Sequence, residues 1–440
     1  MKPGKVILLF LLSVASLLNA QTPKRLAWIG ITGKPADNGF VIDSVAPKST
    51  FSVLRIKKGD ILQSLNGQAI STQESLGKAA AKIREKDGIR IKYLRNNTEE
   101  TAQTQAIPKP FETSAIADID YDWVAFKNGH LRTITRKPKG KTNVPAILLI
   151  PGYGCGSIEG YSQSYNGKLM NAWLEAGFAV VTIEKSGMGD SEGCAPCTEV
   201  DLATDIESFD AGYKYMENLP YVDKSRLYIW GHSMGGTIAP EVAKLHNPKG
   251  VMVFACVFRP WSEFLPEMHR VQKPLMEGLT YQQTETFMKG IQKIYYEFFV
   301  LKKSPAQMHE NPEYKALVES ELNYRENSNN MWGRHWRFWQ QLDSVNLAKS
   351  WQEIKCPVLV LHGGADYEQC SPLEPLMIRE TVNEAHPGHA EQVTIPDLDH
   401  FMMKSKDWKE AYQHFKDREY LKGNFNEKIA LETVKWLKSR

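Results

Sequence analysis

Neither sign of charge is in excess in this sequence, and after its first twenty residues it has no long apolar run. Its 440 residues include 54 Lys and Arg against 51 Asp and Glu, which leaves a formal net charge of +3. A charge so close to zero gives no reason to expect nucleic acid as a partner. No later segment is apolar over the roughly 20 residues that a membrane span requires. With 42% hydrophobic and 24% charged residues, the composition excludes a disordered, collagen-like or coiled-coil chain.

The first twenty residues predict a secretory signal peptide. Lys2 and Lys5 precede an apolar run at residues 6–18, and the small residue Ala20 follows it. A short basic start, an apolar core of about a dozen residues and a small final residue are typical of such a peptide. No cysteine follows the run, so a lipid anchor is not indicated. We expect cleavage after Ala20, with Ala15 as a second site, and an exported protein that is periplasmic or secreted.

Cysteine is scarce, but export changes what the six cysteines predict. An even number in an oxidising compartment favours disulfides. Cys194 and Cys197 form a C-x-x-C with no second pair and no thioredoxin-like context, so we expect a structural disulfide that ties loops together. Cys256 ends an apolar run and is predicted to be a buried free thiol. The sequence leaves the pairing open, and the remaining candidates are Cys155, Cys356 and Cys370.

Residues 25–108 combine short β-rich runs with a single helical stretch. The β-rich runs are predicted at residues 26–31, 39–45 and 88–93, and the helix at residues 72–85. Between them, Lys-Gly-Asp-Ile-Leu at 58–62 and Leu-Asn-Gly at 65–67 predict a turn, a strand and a tight turn. Together with Trp-Ile-Gly-Ile at 28–31 and Val-Ala-Pro-Lys-Ser at 45–49, these motifs resemble a PDZ domain of the bacterial periplasmic-protease kind.

The PDZ resemblance implies a groove between a strand and the helix, where the C-terminal peptide of a partner adds as an extra strand. It also implies that the backbone N–H groups of Ile29, Gly30 and Ile31 surround the terminal carboxylate of that peptide. Residues 50–55 depart from the family pattern, because they lack its Ala/Gly-rich helix. A packing module without a peptide ligand is an equal alternative, since a fold does not establish a function.

From residue 109 to the C-terminus, strands and helices alternate. A strand pair at 118–125 and 129–137 is followed by apolar strands at 146–150, 179–183, 227–230, 251–254, 358–361 and 392–395. Helices are predicted at 166–176, 201–217 and 235–246. Apolar strands separated by helices predict a mostly parallel sheet with helices on both faces. Ligands of such sheets bind at the carboxyl ends of the strands.

Three strand ends carry the residues of a nucleophilic site. Gly-His-Ser-Met-Gly at 231–235 joins a strand to a helix and predicts a nucleophile elbow that exposes Ser233. Asp366 follows the predicted strand at 358–361, and His400 follows the one at 392–395. The order Ser233, Asp366, His400 resembles the α/β-hydrolase superfamily, in its bacterial esterase, acyl-hydrolase and aminopeptidase-like branches, from about residue 118 onward. This resemblance implies that Ser233 is the nucleophile, His400 the base and Asp366 the acid that orients it.

Other titratable residues lie near these motifs. His362 is expected to hydrogen-bond locally, and His232 to point away from the nucleophile. The His-Pro-Gly-His segment at 386–389 has no cysteine nearby, so we expect a solvated loop and no metal site. Asp397 and Asp399 flank the base and either could orient it, but the acid chosen above lies in the expected loop.

The oxyanion hole is predicted from two backbone N–H groups, those of Met234 and Tyr153. Met234 begins the helix after the elbow, and Tyr153 belongs to the glycine-rich loop at 151–156. A second glycine-rich loop, at 184–193, lacks the lysine placement of a phosphate-binding loop, so no nucleotide site is expected. The predicted chemistry requires no metal ion and no organic cofactor.

A helical cap is predicted at about residues 259–350, because the chain between two sheet strands is too long there for a simple crossover. It is rich in aromatic residues, most of which we expect to pack and a few to line the substrate pocket. The sequence thus predicts an exported serine hydrolase that cleaves a carboxylic ester. One alternative is a serine peptidase or amidase that acts on peptides presented by the PDZ-like domain. Another is a non-catalytic envelope module that binds peptides.

Overall fold

The computed structural model describes residues 23–440, and its two larger sheets do not share a hydrophobic core. One core lies within residues 27–106, and the larger sheet has a core on each of its faces. The predicted signal peptide, residues 1–20, lies outside the described part of the chain. Among the described helices, none is both long enough and apolar enough to cross a membrane.

The first sheet is small and antiparallel. Its strands are β1 (Ile31–Ala36), β2 (Gly39–Val45), β3 (Ile61–Leu65), β4 (Gln68–Ala69), β5 (Gly88–Arg95) and β6 (Thr98–Gln105), and its helices are α1 (Thr50–Val53) and α2 (Gln73–Ala80). The order is β1-β2-β3-β5-β6, with β4 paired to β3. Because β1 is an edge strand next to α2, the edge remains open to a further strand.

Two elements of this region differ from the sequence-based expectation. The predicted strand at 26–31 forms only isolated bridges at Leu26 and Ala27, because Gly30 turns the chain with a φ of 73° before β1 begins. The predicted helix at 72–85 ends at Ala80, since the chain must turn to bury Ile83 in the core. Both differences follow from tertiary packing that short-range pattern does not encode.

The second sheet has eight strands. They are β7 (Ala117–Phe126), β8 (Gly129–Pro138), β9 (Val144–Ile150), β10 (Ala179–Ile183), β11 (Val222–His232), β12 (Gly250–Phe254), β15 (Val358–Gly363) and β16 (Ala390–Ile395), with a separate hairpin of β13 (Asn330–Met331) and β14 (Arg334–His335). The order is β16-β15-β12-β11-β9-β10-β8-β7, and all pairs from β10 to β16 are parallel. The predicted strands are all present.

Helices cover both faces of this sheet, as predicted. One face carries α4 (Leu202–Glu217), α5 (Met234–His246) and α12 (Leu373–Ala385), and the other carries α3 (Tyr165–Glu175) and α15 (Glu427–Lys438). Strands such as β9 are buried along their whole length, because both of their faces are covered. The α13 (Trp408–Phe415) and α14 (Arg418–Gly423) helices lie between β16 and α15.

Between β12 and β15 the chain forms the predicted helical cap. Its helices are α6 (Trp261–Gln272), α7 (Tyr281–Tyr295), α8 (Pro305–His309), α9 (Pro312–Glu321), α10 (Trp336–Ser344) and α11 (Leu347–Gln352). Most of its rings are buried in packing, among them Phe298, Phe299 and Phe338. Two rings, Trp261 and Phe264, also line the cavity above the sheet. The prediction that packing rings would outnumber pocket rings is confirmed.

Candidate active site

Ser233 occupies the sharp turn between β11 and α5. Its backbone has φ 55° and ψ −124°, a conformation that side-chain-bearing residues rarely adopt. The turn is held by the Ser233 N–H, which donates to the carbonyl oxygen of Phe254 at 2.9 Å. A Cβ on Gly231 would lie 2.5 Å from the Gly235 carbonyl oxygen, and one on Gly235 would overlap the carbonyl oxygen of Ile150. The two glycines are therefore needed for the turn to close.

Ser233, His400 and Asp366 form one chain of hydrogen bonds. The Nε2 atom of His400 lies 3.1 Å from Ser233 Oγ, and its Nδ1 atom lies 2.9 Å and 3.1 Å from the two carboxylate oxygens of Asp366. A carboxylate only accepts, so Nδ1 carries the proton and Nε2 is free to accept from the serine hydroxyl. The structure thus brings together the three residues that the sequence selected from three separate loops.

The electrostatics of this chain suit a base at His400. Burial by itself lowers the pKa of His400, but the charge of Asp366 and its hydrogen bond outweigh burial and raise the pKa to about 8. Burial acts to raise the pKa of Asp366, yet His400 and the backbone N–H of Gln369, at 2.8 Å, bring it below its usual value. Asp366 therefore stays ionised and stabilises a proton on His400.

His232 departs from the sequence-based expectation. It was expected to point away from the nucleophile, but its Nε2 lies 2.9 Å from the backbone carbonyl oxygen of His400. Its ring stacks on Phe254 and lies 5.1 Å from the ring of His400. Burial lowers the pKa of His232 to about 3, so the ring is neutral and donates from Nε2. The expectation was wrong, because His232 contacts the loop of the base and lines the same cavity as Ser233.

The remaining titratable candidates have structural partners. His362 hydrogen-bonds to Gln369 at 2.9 Å, which confirms the expected local contact. Asp397 pairs with Lys428 at the surface, at 2.8 Å. Asp399 is bound by the N–H groups of residues 401 and 403 and by a serine hydroxyl, so it shapes the loop of the base.

The His-Pro-Gly-His segment at 386–389 forms a turn after α12. The rings of His386 and His389 stack at a centroid distance of 5.4 Å. Within residues 23–440, no group of three His, Cys, Asp or Glu side chains is placed to hold a metal ion.

The two residues chosen for the oxyanion hole, Met234 and Tyr153, line the same cavity as Ser233. Met234 is the first residue of α5, so its N–H has no acceptor within the helix and lies at the positive end of the helix dipole. Gly152 packs against the nucleophile, because a Cβ there would lie 3.5 Å from Ser233 Cβ. Tyr153 follows Gly152 and lines the cavity. Both residues therefore belong to segments that lie beside the nucleophile, and the role of their N–H groups stays a prediction.

The loop that contains Tyr153 is held by charges that the sequence analysis missed. Lys185 Nζ contacts the carbonyl oxygen of Gly152 at 2.5 Å, and Arg334 of the cap donates to that of Tyr153 at 2.9 Å. Arg334 also pairs with Asp205 of α4 at 2.8 Å. In the sequence, only the position of Lys185, two residues after an apolar strand, hinted at this role, and nothing pointed to Arg334.

A disulfide closes the same loop. Cys155 is bonded to Cys197, the second cysteine of the C-x-x-C, while Cys194 is a half-buried free thiol. The expected structural disulfide between loops is therefore present, with Cys155 as the partner. Cys256 is buried and free, as predicted, and so are Cys356 and Cys370.

A cavity of about 470 Å³ opens above Ser233. Its wall is mainly aromatic and apolar, with contributions from Tyr153, Tyr161, Tyr165, Trp261, Phe264, Met268, Phe401 and Phe415. Glu368, two residues after Asp366, adds a carboxyl group to this wall. Burial raises the pKa of Glu368, and among the described residues the charged groups that act on it are His400 and Asp366, with no Lys or Arg. The cavity can therefore take an apolar group of moderate size beside one carboxyl.

The residues selected for a peptide groove lie at the start of β1. The carbonyl oxygens of Ile29 and Gly30 accept from the N–H groups of Phe51 and Ala46, at 3.3 Å and 2.7 Å. Ile31 begins the edge strand that faces α2. Binding of a terminal carboxylate by the three N–H groups stays a prediction.

The comparisons with known proteins agree with both parts of the chain. Residues 145–407, more than half of the chain, match the family model described as serine aminopeptidase, S33, and residues 27–105 match that of the PDZ domain. Esterase EstD of Thermotoga maritima is 20% identical over 303 residues, which cover 68% of this chain and 63% of EstD. The quorum-quenching protein AidA of Acinetobacter baumannii is 25% identical over 122 residues, or 28% of this chain and 38% of AidA. The chain thus spans less than two thirds of the length of these curated relatives.

Among solved structures, Est1E from Butyrivibrio proteoclasticus aligns with 72% of this chain and 98% of its own, at 15% identity and a TM-score of 0.44. The family match over residues 145–407 covers the six parallel strands of the large sheet, from β9 to β16, and the elbow. Both resemblances seen in the sequence are confirmed. The chain belongs to the serine aminopeptidase S33 family of the α/β-hydrolase superfamily and carries a PDZ domain ahead of the region that matches this family.

Proposed function

We propose that this protein is an exported hydrolase of carboxylic esters, with Ser233 as nucleophile, His400 as general base and Asp366 as the acid that orients the base. The observation that carries the proposal is the unbroken hydrogen-bond chain from Ser233 Oγ to Asp366 at the floor of an aromatic cavity. The run of basic, apolar and small residues at 1–20 supports export.

The geometry supports an acyl-enzyme mechanism. His400 Nε2 accepts the hydroxyl proton as Ser233 Oγ attacks the ester carbonyl carbon, and the N–H groups of Met234 and Tyr153 stabilise the oxyanion. The protonated His400 then gives its proton to the leaving alcohol. Water then attacks the acyl carbon and gives a proton to His400, which passes it to Ser233 Oγ as the acyl bond breaks and the carboxylic acid leaves. Asp366 remains ionised throughout and holds the Nδ1–H of the base.

Two facts favour an ester over other acyl substrates. The cavity wall is largely apolar, which suits the acyl chain of an ester, and its polar groups are few. The relative EstD, which aligns over 303 residues, is described as an esterase.

A second candidate is hydrolysis of aminoacyl amides, and Glu368 is the observation that favours it. Its carboxyl faces the cavity, where Gln272 donates to it at 3.3 Å and no Lys or Arg of the described chain acts on it. The ammonium group of an aminoacyl substrate would complement this carboxylate. In this alternative, the PDZ groove would present substrate peptides to the active site.

A fluorophosphonate probe tests the nucleophile directly. We expect the full chain to be labelled, and both Ser233→Ala and His400→Ala to lose labelling. Ser225→Ala and His386→Ala are matched controls at exposed or loop positions outside the cavity, and both should label like wild type. A folded wild-type chain that takes no label would overturn the proposal and favour the non-catalytic binding module.

A substrate panel separates the two candidates. Acyl p-nitrophenyl esters and aminoacyl p-nitroanilides are compared on wild type and on Glu368→Gln. Turnover of neutral acyl esters that survives in the variant supports the esterase. Turnover mainly of the anilides, with a large rise of KM in the variant, supports the amidase instead.

A further inference from the structure

Two buried cations hold the backbone of the loop after β9. Lys185 Nζ lies 2.5 Å from the carbonyl oxygen of Gly152 and 3.3 Å from that of Gly154. Arg334 donates to the carbonyl oxygen between them, that of Tyr153, at 2.9 Å. The two cations are 2% and 0% exposed. Three consecutive carbonyl groups are therefore bound by charged donors in the interior of the protein, where such hydrogen bonds are strong.

One carboxylate serves both cations. An oxygen of Asp205 lies 2.8 Å from the Arg334 guanidinium and 4.0 Å from Lys185 Nζ, and Asp205 is itself buried. Burial lowers the pKa of Lys185 to about 8, with Asp205 acting against the shift. Burying charges costs free energy that apolar side chains of similar volume would not cost. What this arrangement gains is a fixed orientation of one loop beside the nucleophile.

The orientation of the peptide unit follows from its planarity. In a trans peptide the C=O and the next N–H point in opposite directions, and the described chain has no cis peptide. Since Lys185 binds the carbonyl of Gly152, the N–H of Tyr153 must point away from Lys185. Lys185 is not part of the cavity wall, whereas Gly152 lies against Ser233. The N–H of Tyr153 is therefore turned toward the side of the nucleophile.

We propose that Lys185 is a positioning residue for the oxyanion hole, which acts through the peptide unit between Gly152 and Tyr153. Arg334 holds the next carbonyl, so the unit cannot rotate when charge develops on the substrate oxygen. The inference rests on the proposed function, because it requires an acyl group attached to Ser233. It extends that function by tying the oxyanion hole to the sheet through Lys185 and to the cap through Arg334.

The test compares an ester with its thionoester, in which sulfur replaces the carbonyl oxygen. Sulfur accepts hydrogen bonds weakly, so an intact oxyanion hole accelerates the ester much more than the thionoester. Loss of a whole oxyanion donor costs about 10²–10³-fold in kcat. In Lys185→Met the donor is misaligned and not removed, so we expect kcat for the ester to fall about 10- to 100-fold. KM should stay within about threefold, and the thionoester should slow much less, so the ester-to-thionoester ratio collapses.

Controls separate this role from general damage. Lys137→Met removes a lysine that pairs with Asp118 on the β7–β8 edge of the large sheet. This variant should leave the ester-to-thionoester ratio unchanged. Arg334→Met should lower the ratio as Lys185→Met does, and it decides the matter if Lys185→Met does not fold. Equal losses on both esters, or a change in KM alone, would overturn the inference while the esterase activity of wild type stands. Absence of Ser233-dependent hydrolysis in wild type would instead overturn the proposed function, and this inference with it.

Discussion

The disulfide between Cys155 and Cys197 is expected to contribute about 4 kcal/mol to the free energy of unfolding. Its cysteines are 42 residues apart in the sequence. Closing a loop of that length removes about 13 cal/mol/K from the entropy of the unfolded chain, which at 25 °C corresponds to about 4 kcal/mol. Lys185 and Arg334 bind the backbone of the same loop independently of the disulfide. We therefore expect the double variant Cys155→Ser/Cys197→Ser to fold and to keep part of its activity.

Urea denaturation followed by tryptophan fluorescence measures this contribution. The free energy of unfolding of the double variant should fall by about 4 kcal/mol. Reduction of wild type should cause the same fall, and it should not affect the variant. Cys194→Ser is the matched control, because it removes a half-buried thiol of the same C-x-x-C that forms no disulfide. If the double variant is as stable as Cys194→Ser, the entropic reasoning is wrong.

Three further predictions concern the base, the elbow and the domain junction. Ester hydrolysis should rise about tenfold per pH unit up to about pH 8 and then level off, since His400 accepts a proton only when neutral; a pH–kcat/KM profile checks this. Gly235→Ala should lower kcat more than tenfold, because its Cβ overlaps a carbonyl of the neighbouring strand, whereas Gly423→Ala, with open space around it, should not. Arg25→Met should lower the free energy of unfolding by about 3 kcal/mol in urea, because it breaks the buried ion pair that joins Arg25 to Asp190 at 3.1 Å; an unchanged value would contradict that account.

The parts of the fold and site that could be predicted from the sequence are those encoded over a few residues. The strands of the large sheet are apolar runs, because strands covered on both faces admit few polar side chains. Ser233, Asp366 and His400 could be selected because each lies within five residues after such a run, and parallel strands end at one edge. The position of His232 could not be selected this way, since it depends on how the elbow and the loop of His400 meet. The disulfide partner of Cys197 was open for the same reason.

The buried charges around the loop at 152–154 show why the rest of the site could not be predicted from the sequence. Lys185 lies in the loop after β10, Asp205 in α4 and Arg334 in the cap. Lys185 and Arg334 are 149 positions apart in the sequence. Each one, read locally, is an ordinary charged residue, and charged residues are normally exposed. Only the fold places all three out of water around one loop. If the inference about Lys185 is correct, the geometry of the oxyanion hole belongs to the whole hydrolase domain. A change in the cap at Arg334 should then alter kcat without any contact with substrate, which local sequence motifs give no means to foresee.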